Sequence, residues 1–171
     1  MAASSAEVVA MDPSCALRDK LTGALIGLAR ATEGNEFMLT DATFRVVIDA
    51  LRCTDRDEAA LTVLLERADA EKRKLVPDCY HCTASCGRTD NYDLARLQVA
   101  PEEIRALKLR ILSGVRDLAA AYGDSPIFRE NTVHSLFYRA LYAIGMEDWT
   151  EEELLPILRE LDKLKTKASN P

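Results

Sequence analysis

Three cysteines and a histidine fall within eight residues of this chain, at the start of the stretch CYHCTASCGRTDNYD that spans residues 79–93. Cys79, Cys82 and Cys86 are spaced C-x2-C-x3-C, with His81 between the first two. Two cysteines separated by two residues can wrap one metal ion or one corner of an iron–sulfur cluster, because the intervening turn aims both sulfurs inward. A tetrahedral zinc site or a cubane cluster takes four ligands, and this loop supplies three sulfurs. His81 is the nitrogen donor on the loop, although it would have to point back into its own turn. His134 lies in a helical apolar stripe, where a packed or capping histidine is the ordinary reading, and Cys15 and Cys53 fall on or beside helices, where small buried thiols are the rule. Two further readings stay open. A redox dithiol at Cys79 and Cys82 needs a thiol pKa lowered by a helix N-terminus or a cation, and the neighbour here is Asp78. The plainest alternative is a linker whose thiols are reduced and carry no metal.

The elements that must hold this loop are helices. Leu17, Leu21, Leu25 and Leu28 make one helical stripe, Phe44, Val47, Ile48 and Leu51 a second, and Leu61, Leu64, Leu65 and Ala68 a third. Thr54 with Asp57 is the expected cap of the third helix. Beyond the loop, Pro101 followed by Glu102 and Glu103 opens a fourth helix, with proline at its first position and acids in its first turn. Ile104, Leu107, Ile111, Val115 and Leu118 line that helix, and Val133, Leu136, Phe137, Ala140 and Leu141 a fifth. Thr150 and Glu153 form a capping-box pattern for a sixth, with Trp149 and Leu154 as its hydrophobic staple. Trp149 therefore reads as a packing residue.

The two sets of helices resemble each other. LTG at 21–23 recurs as LSG at 112–114, an offset of 91 that Phe37 and Phe128 keep. AL at 50–51 recurs at 140–141, an offset of 90, and Leu61, Leu64 and Leu65 match Leu154, Ile157 and Leu158 at 93. Mid-helix glycine costs about 1 kcal/mol relative to alanine, so Gly23 and Gly114 point to close helix approach. The expected fold is all-α: two antiparallel three-helix units, a duplicated bundle, joined by a Cys-rich loop. The boundaries are a disordered tail over 1–14, a first unit over 15–76, the loop over 77–100 and a second unit over 101–168.

Composition narrows the function classes. The chain has 171 residues, 48% of them hydrophobic and 29% charged, which is ordinary globular usage and enough chain for a sizeable core. A formal charge of −6 argues against a nucleic-acid binder, which needs a concentrated basic face. Lys72-Arg73-Lys74 sits where a helix ends and complements its dipole. The longest apolar run, Ala24 to Ala29, is far short of the ~20 residues of a membrane helix. MAASSAEVVAMDPS has no basic n-region and does not read as a signal peptide. Five cysteines, an odd count at irregular spacing, fit a reducing cytoplasm better than a disulfide framework. The sequence holds no glycine-rich phosphate loop, nucleophile elbow or HExxH.

From Cys79 onward the residues carry a resemblance. CYHC…CGRTDNYDLARL, then ALKLRILSGVRDLAAAYG, then LFYRALYAIGMEDWTEEELLPILRELDKLKTKA resembles the N-terminal helical region of the hybrid cluster protein family, over about residues 79–168. Those proteins, also called prismane proteins, are known as hydroxylamine reductases and are related to carbon monoxide dehydrogenases. The resemblance implies that Cys79, Cys82 and Cys86 are cluster ligands, with Gly87 and Thr89 in the turn after them. The family's opening has four cysteines at longer spacing, and its reaction centre lies in later domains without a counterpart here. The resemblance thus implies an electron-transfer or redox-sensing protein with an iron–sulfur cluster, or zinc in its place. Any enzymatic activity would be of the hydroxylamine reductase type, and none is expected of this chain alone. A protein redox partner or a homodimer follows as the partner class. The contrasting expectation is a metal-free helical interaction module with vestigial cysteines and an acidic surface for a protein partner.

Overall fold

The computed structural model describes residues 12–31, 41–53, 56–75, 97, 100–122, 125–126 and 130–169. Among them the protein is all-α, with six helices and no strand: α1 (Pro13–Ala31), α2 (Asp41–Leu51), α3 (Glu58–Leu75), α4 (Glu102–Tyr122), α5 (Asn131–Gly145) and α6 (Glu151–Ser169).

Local chemistry explains where these helices start. The Asp12 carboxylate accepts from the Ser14 backbone N–H at 3.1 Å and from its hydroxyl at 2.6 Å, so α1 begins at Pro13 with proline in the first helical position. Residues 13 and 14, expected in the tail, are helical; the cap residue is Asp12. Asp57 caps α3, its Oδ1 accepting from the Ala60 N–H at 2.9 Å, and the expected cap Thr54 lies outside the described residues. Pro101 precedes α4 rather than opening it, and its carbonyl accepts the Arg105 N–H at 2.9 Å. Before α6, Glu153 Oε2 accepts from the Thr150 N–H at 2.7 Å, one half of the capping box. The Thr150 hydroxyl turns to the same carboxylate oxygen at 3.0 Å instead of accepting from the Glu153 backbone.

The core is a single cluster fed by all six helices and by Leu97, which is buried ahead of α4. Phe137, Leu25, Ile26, Leu28, Ile111, Leu141 and Ile144 are fully enclosed, each worth roughly 1.5–3 kcal/mol of burial. α1 packs on α3 and α2, and α4 packs on α6 and α5. α2 touches α3 and α5 touches α6, while α1 against α5 and α2 against α4 tie the two sets together. Every one of these contacts has its counterpart when α1, α2 and α3 are exchanged for α4, α5 and α6.

Burial recurs with the same order. Phe44, Val46, Val47, Ala50, Leu51 and Cys53 are buried, as are His134, Leu136, Phe137, Ala140, Leu141 and Ala143, each 90 residues later. Leu61, Leu64 and Ala68 correspond to Leu154, Ile157 and Leu161 at 93. Between α1 and α4 the buried positions align at 90, pairing Leu21 with Ile111, Leu25 with Val115 and Leu28 with Leu118. This corrects the offset of 91 read from LTG and LSG: in the burial register Gly114 stands opposite Ala24, not Gly23. The reason is that three-letter similarity says nothing about which face of a helix is covered.

The glycines also sort differently from their sequence reading. A methyl on Gly114 would lie 3.5 Å from Leu161 Cδ1, an ordinary contact, so α4 and α6 do not require glycine there. A methyl on Gly145 would lie 2.4 Å from Ile26 Cγ2 and 2.9 Å from Arg30 Cδ. Of these two glycines, the one that permits close approach is Gly145, at the end of α5 against α1.

Candidate functional site

Cys79, His81, Cys82 and Cys86 lie outside the described residues, in the stretch between the end of α3 at Leu75 and the start of α4 at Glu102. The structure does place the donors outside the loop that could complete a ligand set. Cys53 is buried in the turn after α2, and its thiol donates to the Ala50 carbonyl at 2.6 Å. Burial pushes that thiol pKa up, against its own backbone hydrogen bond and the nearby charges of Arg116, Arg18 and Arg56, so it is the neutral thiol form. His134 is buried on α5, with its ring stacked on Phe44 at a centroid separation of 3.6 Å and an interplanar angle of 30°. It is a packed histidine, as its apolar surroundings predicted. Cys15 is the exception. Expected as a buried thiol, it is exposed on the first turn of α1, because the fully buried stripe starts six residues later, at Leu21. Of these three outside donors, Cys15 alone is open to solvent.

Among the described residues, no three histidine, cysteine, aspartate or glutamate side chains are grouped to hold a metal ion. No described helix is long and apolar enough to cross a membrane. An open groove along α6 is lined by Arg159, Asp162, Lys163, Thr166 and Lys167, a solvated run of charge rather than an enclosed cleft. Trp149 sits edge-on to Tyr142 at 6.2 Å and packs on the core, as its place ahead of α6 foretold.

Two buried polar groups went unnoticed in the sequence. Lys108 is 2% exposed, and its ammonium donates to the Met146 carbonyl just past the end of α5. Burial lowers its pKa, and Glu147 and Asp148 work in the opposite direction. Its place on the apolar face of α4, four residues after Ile104 and three before Ile111, was the available signal. Tyr138 on α5 has its hydroxyl enclosed without a hydrogen-bond partner among the described residues, and burial together with the charge of Glu71 raises its pKa. Glu71 accepts instead from Thr43 at 3.3 Å and from Lys74 at 2.6 Å.

No family model, curated protein or solved structure matches the chain.

Proposed function

We propose that this protein is a helical scaffold whose α3–α4 connection binds an iron–sulfur cluster or a zinc ion through Cys79, Cys82 and Cys86, for electron transfer or redox sensing. The observation that carries the reading is the C-x2-C-x3-C spacing on one short stretch. The fourth donor is His81, the exposed Cys15, a group from a partner or an exogenous thiol; buried Cys53 and His134 are both committed to packing. The resemblance to hybrid cluster proteins favours iron–sulfur over zinc and a protein redox partner or second copy as the electron-exchange surface. The scaffold itself is read as two copies of one three-helix unit. The recurrence of burial at offsets of 90 and 93, and the paired helix contacts, support that reading.

The test is anaerobic purification followed by iron, acid-labile sulfide and zinc analysis of the parent and of Cys79→Ser and Cys82→Ser. Stoichiometric metal in the parent, lost in both variants while helical circular dichroism is retained, is the expected result. Metal-free parent protein, with folding indifferent to both substitutions, overturns the reading and leaves the metal-free interaction module in its place. If metal is found, its identity decides between cluster and zinc.

A further inference from the structure

The outward face of α6 carries a row of cations. Arg159, Lys163 and Lys167 recur every four residues, so they lie in one line along the helix at a pitch of about 6 Å. All three are exposed, and with Asp162 and Thr166 they line the open groove on this helix. No side chain of the three forms an ion pair or hydrogen bond among the described residues, whereas Arg67, Lys74, Arg139 and Lys165 are each held by a carboxylate. Asp162 stands on the flank of the row, and its contact there is a backbone one, its carbonyl accepting from the Thr166 hydroxyl at 2.9 Å. The groove thus sets three positive charges against one negative, in a chain whose formal charge is −6.

Two ordinary causes leave the row unexplained. The helix dipole favours cations in the last turn, which holds Lys167 but neither Arg159 nor Lys163. The scaffold asks for no charge there either. At the offset of 93, the exposed face of α3 carries Glu66, Ala70 and Lys74, and that lysine is bound to Glu71 at 2.6 Å. The row is also short. Exposed Glu152 stands on the same face seven residues before Arg159, and the chain as a whole is acidic. A long polyanion, such as a nucleic acid or an anionic membrane, would therefore meet repulsion beyond about 12 Å of positive surface. A protein segment with a few carboxylates fits within it. Side chains on one face of an extended strand recur every ~6.6 Å, close to the ~6 Å pitch of the row.

We infer that the face of α6 carrying Arg159, Lys163 and Lys167 docks an acidic, extended segment of a protein partner. This surface gives a chemistry to the partner class in the reading above, and the two are tested apart: metal is read by elemental analysis, docking by chemical shift, so either can fail alone. The probe is a five-residue peptide with glutamate at alternate positions, titrated into ¹⁵N-labelled full-length protein at low and at high salt. A saturable shift confined to α6 and weakened by salt is expected, since exposed charges are screened within ~10 Å at 0.1 M. The double variant Arg159→Glu, Lys163→Glu weakens binding about tenfold or more and takes up the matching lysine peptide instead. Shifts spread over the whole surface, or binding unchanged in a double variant with parental circular dichroism, overturn the assignment. So does tighter binding at the same residues by an oligonucleotide or by phosphatidylserine vesicles.

Discussion

At the outer seam between α2 and α3, Asp49 accepts from Arg67 at 3.0 Å; at the seam between α5 and α6, Arg139 donates to Glu160 at the same distance. The positions correspond at offsets of 90 and 93, and the charges are exchanged. The same comparison runs through the interior. Phe44 and His134 occupy corresponding positions and stack on each other, and Arg18 of α1 and Lys108 of α4 stand 90 residues apart at corresponding positions. Burial is shared between the halves, while charge and hydrogen-bonding chemistry is not. A helix scaffold asks of each position only that it be covered or open. The sign of a surface pair, or the cation beneath a turn, can change as long as its partner changes too.

The sharpest way to break the comparison is at the Phe44–His134 stack. Phe44 is 5% exposed, meets His134 at 3.6 Å and stands edge-on to Phe137 at 5.8 Å. Phe44→Ala is expected to cost about 3–5 kcal/mol in urea unfolding. A loss under about 1 kcal/mol would show that the stack does little to hold the halves together.

The next effect separates two glycines. Gly145→Ala drives a methyl into Ile26 and is expected to destabilise by about 1–3 kcal/mol. Gly114→Ala meets only ordinary contact with Leu161, gains helix propensity and is expected to stabilise by up to about 1 kcal/mol. Equal thermal shifts of the same sign would overturn the assignment of the tight approach to α5 and α1.

Lys108 and Arg18 come third. Lys108→Ala removes a buried donor from the Met146 carbonyl and is expected to cost about 1–3 kcal/mol, whereas Arg18→Ala removes a side chain whose Nε has no acceptor and costs less. The pH dependence follows from the sign of the Lys108 shift. Its folded pKa lies below the ordinary 10.5, so between the two values the unfolded chain holds more protons. Its contribution to stability therefore rises with pH across that window, and the alkaline slope should flatten in Lys108→Met. An unchanged slope in urea titrations above pH 8 would count against the burial of the ammonium.

The smallest effect concerns the exchanged ion pairs, whose side chains are all about 40–50% exposed. Asp49→Arg and Arg67→Glu are each expected to cost about 0.2–1 kcal/mol, and the two together, which reproduce the Arg139–Glu160 polarity, to return within about 0.5 kcal/mol of the parent. Additive losses in the double-mutant cycle would mean that the two seams are not equivalent.

Much of the fold was legible in the order of residues. The stripes beginning at Leu17, Phe44, Leu61, Ile104, Val133 and Leu154 all enter or pack on the core, because a period of 3.6 can be covered only along one face of a helix. Trp149 and His134 were read correctly as packing residues for the same reason. α1 starts earlier than expected because its cap, Asp12, lies five residues ahead of Leu17, the first member of the apolar stripe. The cysteine stretch was conspicuous through its spacing alone. The Arg116–Thr22 hydrogen bond was invisible, since the two residues lie 94 apart in the chain and neither stands out on its own helix.

The sequence by itself determined the six helices and the side of each that is buried. These follow from local capping and from the periodicity of apolar residues, both of which act within a few turns. Only the tertiary structure decided the rest. Docking α5 on α1 left Gly145 too close to Ile26 for a side chain without a shift, folding α4 against the α5–α6 turn buried Lys108, and bringing α4 beside α1 set Arg116 on Thr22. Each depends on which faces meet across 38 or more residues of chain, and neither capping nor periodicity reaches that far.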